Sequence, residues 1–195
     1  MENVDCQPRN TLPGDPELAL GRGVVVSFQR YQWPLEGRFA HAPSSLGLLW
    51  TARTAEGTVL LPLAPGECFW IGVNGDEASP YELSVTLERG SGELIDVLSG
   101  RRIAAREVRW TPIHETPFIE GIRTKAGFEP LARETSSRIP VGQALQLRVR
   151  ERSGARESAG IRVELADYAT FTARTGRAAP EPLDRDAGYG GWLLP

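Results

Sequence analysis

A period of two dominates the order of hydrophobic and polar residues along the chain. The clearest example is the segment 81–88, in which odd-numbered positions are apolar and even-numbered positions are polar. Because successive side chains of a strand point to opposite faces, this order predicts a strand with one buried face. Similar segments occur at 24–30, 46–53, 59–63, 69–73, 94–98, 101–109, 145–150, 161–165 and 168–173. We therefore expect about nine strands and no helix of about ten residues or more.

Turn signals separate several of these segments and predict hairpins. Ser99-Gly100 separates 94–98 from 101–109, and the polar residues 153–158 separate 145–150 from 161–165. A third hairpin is expected between 46–53 and 59–63. Leu46, Leu48, Trp50 and Ala52 are expected to share the buried face of its first strand. This arrangement is typical of an all-β fold, either an antiparallel β-sandwich or a jelly-roll-like barrel. The segment 101–109 also suits two helical turns, but a strand is the preferred interpretation.

The alternation stops between residues 111 and 142, which we interpret as a long irregular insertion in a single β domain spanning 22–195. Its scattered apolar residues favour a packed excursion over a free linker, and long excursions are often functional. Residues 1–21 are polar and proline-containing and predict a flexible lead-in or a surface arm. The C-terminal tail 180–195 ends in Trp192, Leu193 and Leu194, so it is expected to dock, on its own domain rather than by exchange with another subunit.

Charge and hydropathy exclude several classes of protein. The 195 residues carry a net charge of -3. No basic tail is present, so nucleic acid is not expected as a partner. No run of about 18 apolar residues predicts a membrane span, and the N-terminus lacks the pattern of a secretion signal. These features predict a soluble, cytoplasmic protein with no membrane partner.

The two cysteines, Cys6 and Cys68, are far apart and lack the spacing of a zinc site. Cys68 lies in an apolar run and is interpreted as a small buried residue. Spacing does not decide whether the two cysteines pair, and a reducing cytosol disfavours the disulfide.

Candidate catalytic chemistry is sparse, because no nucleophile elbow, zinc-protease helix or phosphate-binding glycine loop is present. His114 and Glu115, in the insertion, are the candidate catalytic residues. His114 and Asp76 are the candidate metal ligands, with His41, Glu77 and Glu115 as further donors. A loop histidine held by a hydrogen bond is the simpler interpretation, and the residues identify no cofactor.

Two further sets of polar residues also have a simple structural interpretation. Glu67 and Glu82 could lie on adjacent strands as a glycosidase-like carboxylate pair, although exposed acids on sheet faces are common. Gln146, Arg148 and Arg150 share an outward parity and are expected to face Arg162 and Glu164. Cross-strand salt bridges account for this second set, and an anion-binding face is the alternative.

Aromatic residues give the stronger indication of a binding site. Tyr31 and Trp33 follow the end of a strand, and Trp70 has the parity opposite to Phe69 and Ile71. Rings at strand ends and on loops can form a stacking platform for a ligand. Arg123, in the insertion, completes the candidate ligand-binding set.

The leading hypothesis is a non-catalytic binding or assembly module that engages a carbohydrate, a small molecule or a protein through aromatic residues and the long loop. One alternative is a small β-barrel enzyme that uses His114 as an acid, base or metal ligand. The other is a structural subunit of a homo-oligomer, assembled through edge strands and the tail.

Overall fold

The computed structural model describes residues 14–21, 23–34, 37–75, 80–153 and 157–184. Within these residues the chain forms two β-sheets that enclose one main hydrophobic core. Neither of these sheets closes on itself in the described part of the chain, so the structure is a sandwich. The prediction of an all-β sandwich is therefore confirmed.

The small sheet has six strands among the described residues, with β1, β2, β6 and β11 side by side, β3 paired to β2 and β14 paired to β6. Its strands are β1 (Glu17–Gly21), β2 (Val24–Gln32), β3 (Leu48–Leu49), β6 (Glu67–Asn74), β11 (Phe118–Ile119) and β14 (Leu131–Ala132). All of its pairs are antiparallel.

The large sheet has eight described strands in the order β4-β5-β16-β15-β7-β8-β9, with β10 paired to β7. These strands are β4 (Ala52–Arg53), β5 (Val59–Pro62), β7 (Tyr81–Glu88), β8 (Leu94–Asp96), β9 (Arg101–Ile103), β10 (Thr111–Pro112), β15 (Ala144–Glu151) and β16 (Glu157–Ala166). The pair β5–β16 is parallel and the others are antiparallel. A separate two-stranded hairpin consists of β12 (Ile122–Thr124) and β13 (Gly127–Glu129).

The core lies between the inner faces of the two sheets, where the alternation of the sequence places apolar side chains. Phe28 of β2 and Phe69 of β6 meet edge to face with ring centroids 5.8 Å apart. Leu83 of β7 and Leu147 of β15 come from the opposite sheet and are fully buried in the same cluster. The alternating segments 24–30, 69–73, 81–88 and 145–150 therefore supply the core as predicted.

All three predicted hairpins occur, as β4–β5, β8–β9 and β15–β16. Several of the remaining strands have only two or three residues, which explains why the structure contains more strands than the sequence predicted. A period of two cannot be recognised in so short a segment. The insertion 111–142 is accordingly less irregular than expected, because β10 to β14 lie within it.

The segment 168–173, predicted as a strand, is instead part of the helix α1 (Tyr168–Thr175). The Asp167 carboxylate accepts a hydrogen bond from the Thr170 amide at 2.7 Å and caps the first turn. Gly176 ends the helix with a φ of 68°, a left-handed conformation that favours glycine. The two caps outweigh the strand propensity of the intervening aromatic and threonine residues. Within the described residues no helix combines the length and apolar character needed to cross a bilayer.

The segment 46–53 does not form one strand with the predicted buried face. The chain leaves the small sheet after β3 and enters the large sheet at β4, and Trp50 is half-buried between them. Leu49 is buried, whereas Leu46 is 36% and Leu48 is 37% exposed. Because Leu48 and Leu49 are both leucines, the sequence does not show which of them faces the core. Pairing with β2 places Leu49 opposite the buried Phe28, so Leu49 faces the core.

The folded part of the chain begins before Arg22, because residues 17–21 form β1 rather than a flexible lead-in. This strand pairs with β2, and its Leu18 and Leu20 side chains are buried in the main core. The apolar part of this strand is only three residues long, Leu18 to Leu20, and it follows two prolines, so the sequence pattern does not predict a strand here. Asp15 also forms an antiparallel bridge with Thr51, and residues 1–13 lie outside the described residues.

Candidate functional site

The outward face of the small sheet carries an apolar strip made of Leu48, Trp70 and Phe118, and we count with it the exposed Leu46, two residues before β3. The register places Leu48 opposite Gln29 and Gln29 opposite Trp70, so these residues share one face. Phe118 lies opposite Gly72 of the same outward face. The strip therefore brings together residues from distant parts of the chain, namely the segment around β3 and the strand β11 of the insertion.

The two rings of the strip form a corner rather than a flat surface. The centroids of Trp70 and Phe118 are 5.6 Å apart and the ring planes meet at 86°. The indole Nε1 of Trp70 donates to the backbone oxygen of Pro43 at 3.1 Å, so its polar atom is engaged internally. Phe118 is 61% exposed, which is high for a phenylalanine that contacts another ring. Large apolar side chains exposed together often mark an interaction surface.

A second aromatic group lies on the same face of the sheet and is largely covered. Tyr31 is 1% exposed and packs with Cys68, Ala132 and the half-buried Trp33. The predicted ligand-binding residue Tyr31 is therefore a packing residue in this structure. Cys68 is a fully buried free thiol, as the sequence predicted, and its burial raises its pKa well above the usual value. Cys6 lies outside the described residues.

Arg123 lies apart from the strip, on the hairpin β12–β13. Its guanidinium stacks over Phe128 at 5.6 Å from the ring centroid, and Phe128 stacks in turn on Phe39 at 6.0 Å. Phe39 meets Tyr31 edge to face at 5.7 Å. The candidate ligand-binding residues thus belong to one aromatic array, with Trp70 and Arg123 at opposite ends. Among the described residues, the large exposed ring is that of Phe118, in the strip.

The structure does not bring the two histidines to one described cluster. His114 and Glu115 lie on a 3-10 turn (Ile113–Glu115), with 3.6 Å between His114 Nε2 and Glu115 Oε1. His41 Nδ1 lies 3.6 Å from Glu120 Oε1 instead. The described residues contain no group of three or more histidine, cysteine or acidic side chains that could hold a metal ion. The predicted donors Asp76 and Glu77 lie outside the described residues.

Glu67 and Glu82 do not form the carboxylate pair that the sequence left open, because the two residues belong to different sheets. Glu67 is not an exposed acid either, since it is buried. Glu82 forms a salt bridge with Arg150 at 2.6 Å on the large sheet, and Arg150 stacks over Trp110 at 4.5 Å from the ring centroid. The chain changes sheets between β6 and β7. A hairpin across the Asn74-Gly75 turn, which the pair required, is therefore not formed.

Glu67 is the centre of a buried polar cluster at one end of the sandwich core. Its side chain is 4% exposed and accepts hydrogen bonds from the Tyr168 hydroxyl at 2.6 Å and the Ala64 amide at 3.0 Å. Arg30 Nη1 lies 3.7 Å from its other oxygen. The cluster ties β2, β6 and the first residue of α1 together, and its charges compensate each other where burial would otherwise be costly.

The same cluster fixes the first part of the C-terminal tail through backbone atoms. The Leu183 amide donates to Glu67 Oε1 at 3.1 Å, and Arg30 donates to the Glu181 carbonyl at 2.7 Å. Gln32 donates to the Asp184 carbonyl at 2.5 Å. Residues 180–184 are therefore docked on their own domain, whereas residues 185–195 lie outside the described part of the chain.

Replacing Tyr168 with Phe is expected to lower the free energy of unfolding by about 1.5 kcal/mol, because it removes a hydrogen bond to a buried carboxylate. Burial and then Glu67 raise the pKa of Tyr168 above its usual value. The stabilisation by the protonated phenol is thus complete below about pH 10 and declines as the pH rises further. Urea unfolding at pH 7 and at pH 10.5 measures both effects. The control is Tyr81→Phe, which removes the hydroxyl of another half-buried tyrosine and is expected to change the free energy of unfolding by less than about 0.5 kcal/mol. An equally small change for Tyr168→Phe at pH 7 would contradict this role.

Of the four residues of the strip, Trp70 alone is predicted from the sequence as a binding residue. Trp70 was identified because its parity is opposite to that of the buried residues of β6. Leu46 and Leu48 had been assigned to the core, and Phe118 was recognised only as apolar material of the insertion. Phe118 and Ile119 are adjacent, and only one of two adjacent residues in a strand can face the core. This pair was the signal in the sequence that one of the two would point outward.

Comparisons of the chain with protein-family models, with curated proteins and with solved structures found no match.

Proposed function

We propose that this protein is a non-catalytic binding module that docks another protein on the apolar strip of its small sheet. The observation that carries the proposal is the exposure of Phe118, 61%, beside Trp70. Two exposed leucines lie on the other side of β2. Burying such side chains at an interface is favourable by about 25 cal/mol per Å² of apolar surface. Aromatic side chains at the centre of an interface commonly supply most of its binding energy.

The geometry of the strip favours a protein partner over a carbohydrate. A sugar ring stacks on an open, flat aromatic face, but Trp70 and Phe118 meet at 86° and form a corner. A corner between two apolar rings suits an apolar side chain inserted from a partner. Gln29, the polar residue between Leu48 and Trp70, donates from its side-chain amide to Ser27 Oγ at 3.2 Å. This contact leaves the side-chain oxygen of Gln29 as an acceptor for a partner.

Replacing Phe118 with Asp is expected to weaken binding of the partner at least about tenfold, since a charge would be placed at the centre of the apolar contact. The matched control is Ile139→Asp, which changes an equally exposed side chain, 62%, outside the strip. Affinity capture with the wild-type chain followed by mass spectrometry identifies candidate partners. Each purified candidate is then titrated against the wild-type chain and both variants by calorimetry.

A partner that binds the wild-type chain and Ile139→Asp with equal affinity, but loses affinity for Phe118→Asp, supports the proposal. Equal binding of all three proteins would contradict it, because the strip would then contribute nothing. Self-association that Phe118→Asp abolishes would assign the strip to a homo-oligomer contact instead. Ultracentrifugation of the wild-type chain and the variant distinguishes that case.

A further inference from the structure

A polar groove lies on the outward face of the large sheet, on the opposite side of the sandwich from the apolar strip. Its volume is about 170 Å³. The register of the sheet builds its floor, because Gln146 of β15 lies opposite Thr86 of β7 on one side and Arg162 of β16 on the other. Three long or hydrogen-bonding side chains from three neighbouring strands thus form one row on the same face.

One wall of the groove is apolar. It consists of Leu94 of β8, Ile103 of β9 and Ala105, which follows β9. The hairpin β8–β9 raises these side chains beside the polar row, so the groove has a hydrogen-bonding floor and a hydrocarbon side. A ligand that fits must present polar groups along one edge and an apolar surface on another.

Ion pairs hold the charged side chains of the floor in place. Arg162 lies 3.1 Å from Glu88 and 2.6 Å from Glu164, and Arg174 lies 2.9 Å from Glu164. The bond from Arg174, followed by that from Arg162, lowers the pKa of Glu164 despite its partial burial. These ion pairs restrict the guanidinium and carboxylate groups, which reduces the entropy lost when a ligand binds.

The charges that line the groove balance. Arg148 and Arg162 are matched by Glu88 and Glu107. A neighbouring depression of about 310 Å³ shares Arg162, and its other charged residues are Arg53, Glu56 and Glu164, so it balances as well. A charged ligand that pairs with Arg162 or Glu88 would have to break the ion pair between these two residues. A neutral ligand can use the remaining donors and acceptors while the ion pairs stay intact.

We propose that this groove binds a neutral carbohydrate. Among neutral ligands, sugars carry several hydroxyl groups on one ring, and each hydroxyl both donates and accepts hydrogen bonds. Carboxylates accept from these hydroxyls, while guanidinium, amide and threonine groups donate to them. The C–H surface of the ring packs on Leu94 and Ile103. The site is independent of the proposed protein-docking strip, which lies on the other sheet.

The test is titration of the ¹⁵N-labelled full chain with neutral disaccharides, namely cellobiose, maltose, lactose and sucrose, followed by NMR. At least one sugar is expected to shift the side-chain resonances of Gln146 and Arg148 in a saturable manner. The double variant Thr86→Val, Gln146→Leu removes two floor groups and is expected to weaken this binding about tenfold or more. The control Thr172→Val, Gln143→Leu makes the same exchanges at exposed positions outside the groove and is expected to bind as the wild-type chain does.

Ala105→Trp provides a second variant that keeps every polar group and fills the groove from its apolar wall, so it is expected to abolish the shifts. Inorganic phosphate and glucuronate are titrated in parallel. Saturable shifts with these anions alone would overturn the proposal in favour of an anion site. Absence of shifts with every sugar, or equal affinity in the wild-type chain and the floor variant, would also overturn it.

Discussion

Replacing Gly100 with Ala is expected to lower the free energy of unfolding by at least about 3 kcal/mol. Gly100 has a φ of 67°, and a Cβ at this position would lie 1.7 Å from the carbonyl oxygen of Arg123. This oxygen belongs to the backbone, whose position is fixed because the Arg123 amide donates a hydrogen bond to the Val97 carbonyl at 3.0 Å. The turn between β8 and β9 must therefore shift away from β12. Urea unfolding followed by fluorescence measures the change.

The matched control for this prediction is Gly92→Ala. Gly92 has a similar φ of 75°, but no atom lies within 4 Å of its Cβ position. Its replacement costs only the left-handed conformation, about 1 kcal/mol. Equal destabilisation by the two variants would show that the approach of Arg123 does not restrict Gly100.

Replacing Glu67 with Leu is expected to lower the free energy of unfolding by about 3 to 5 kcal/mol. The substitution leaves Arg30, whose side chain is 14% exposed, without the buried carboxylate that lies 3.7 Å from it. It also removes the acceptor of the Tyr168 hydroxyl and of the Leu183 amide. Denaturant unfolding measures the loss, and limited proteolysis reports whether residues 180–184 are released.

The control is Glu129→Leu, which removes a carboxylate that is 37% exposed and forms only surface ion pairs. Such pairs contribute about 0 to 1 kcal/mol. A second variant, Arg30→Met combined with Glu67→Leu, removes both charges and is expected to recover part of the stability. If Glu67→Leu and Glu129→Leu were equally stable, the cluster would not hold the end of the sandwich together.

The candidate sites were only partly predictable, and the individual residues show why. Trp70 was identified because its parity within β6 is a local property of the sequence. Leu48 was assigned to the wrong face, since Leu48 and Leu49 differ only in which neighbour on β2 each one meets. The sequence anticipated the outward parity of the groove floor, and Gln146 does face Arg162. The ion pairs differ from those expected, because Arg150 pairs with Glu82 of β7 and Arg162 pairs with Glu88 of β7 and with Glu164 of its own strand. The apolar wall of the groove was not anticipated, because nothing local places Ile103 and Ala105 beside Gln146.

The sequence by itself determined the β-rich class of the fold, its three tight hairpins and the buried parity of its longer strands. These properties depend on side-chain alternation and turn residues, which act over a few neighbouring positions. Only the tertiary structure decided which sheet each strand joined, and with it the separation of Glu67 from Glu82 and the meeting of Phe118 with Trp70. Strand pairing depends on contacts between residues far apart in the chain, and a period of two is the same whichever neighbour a strand meets.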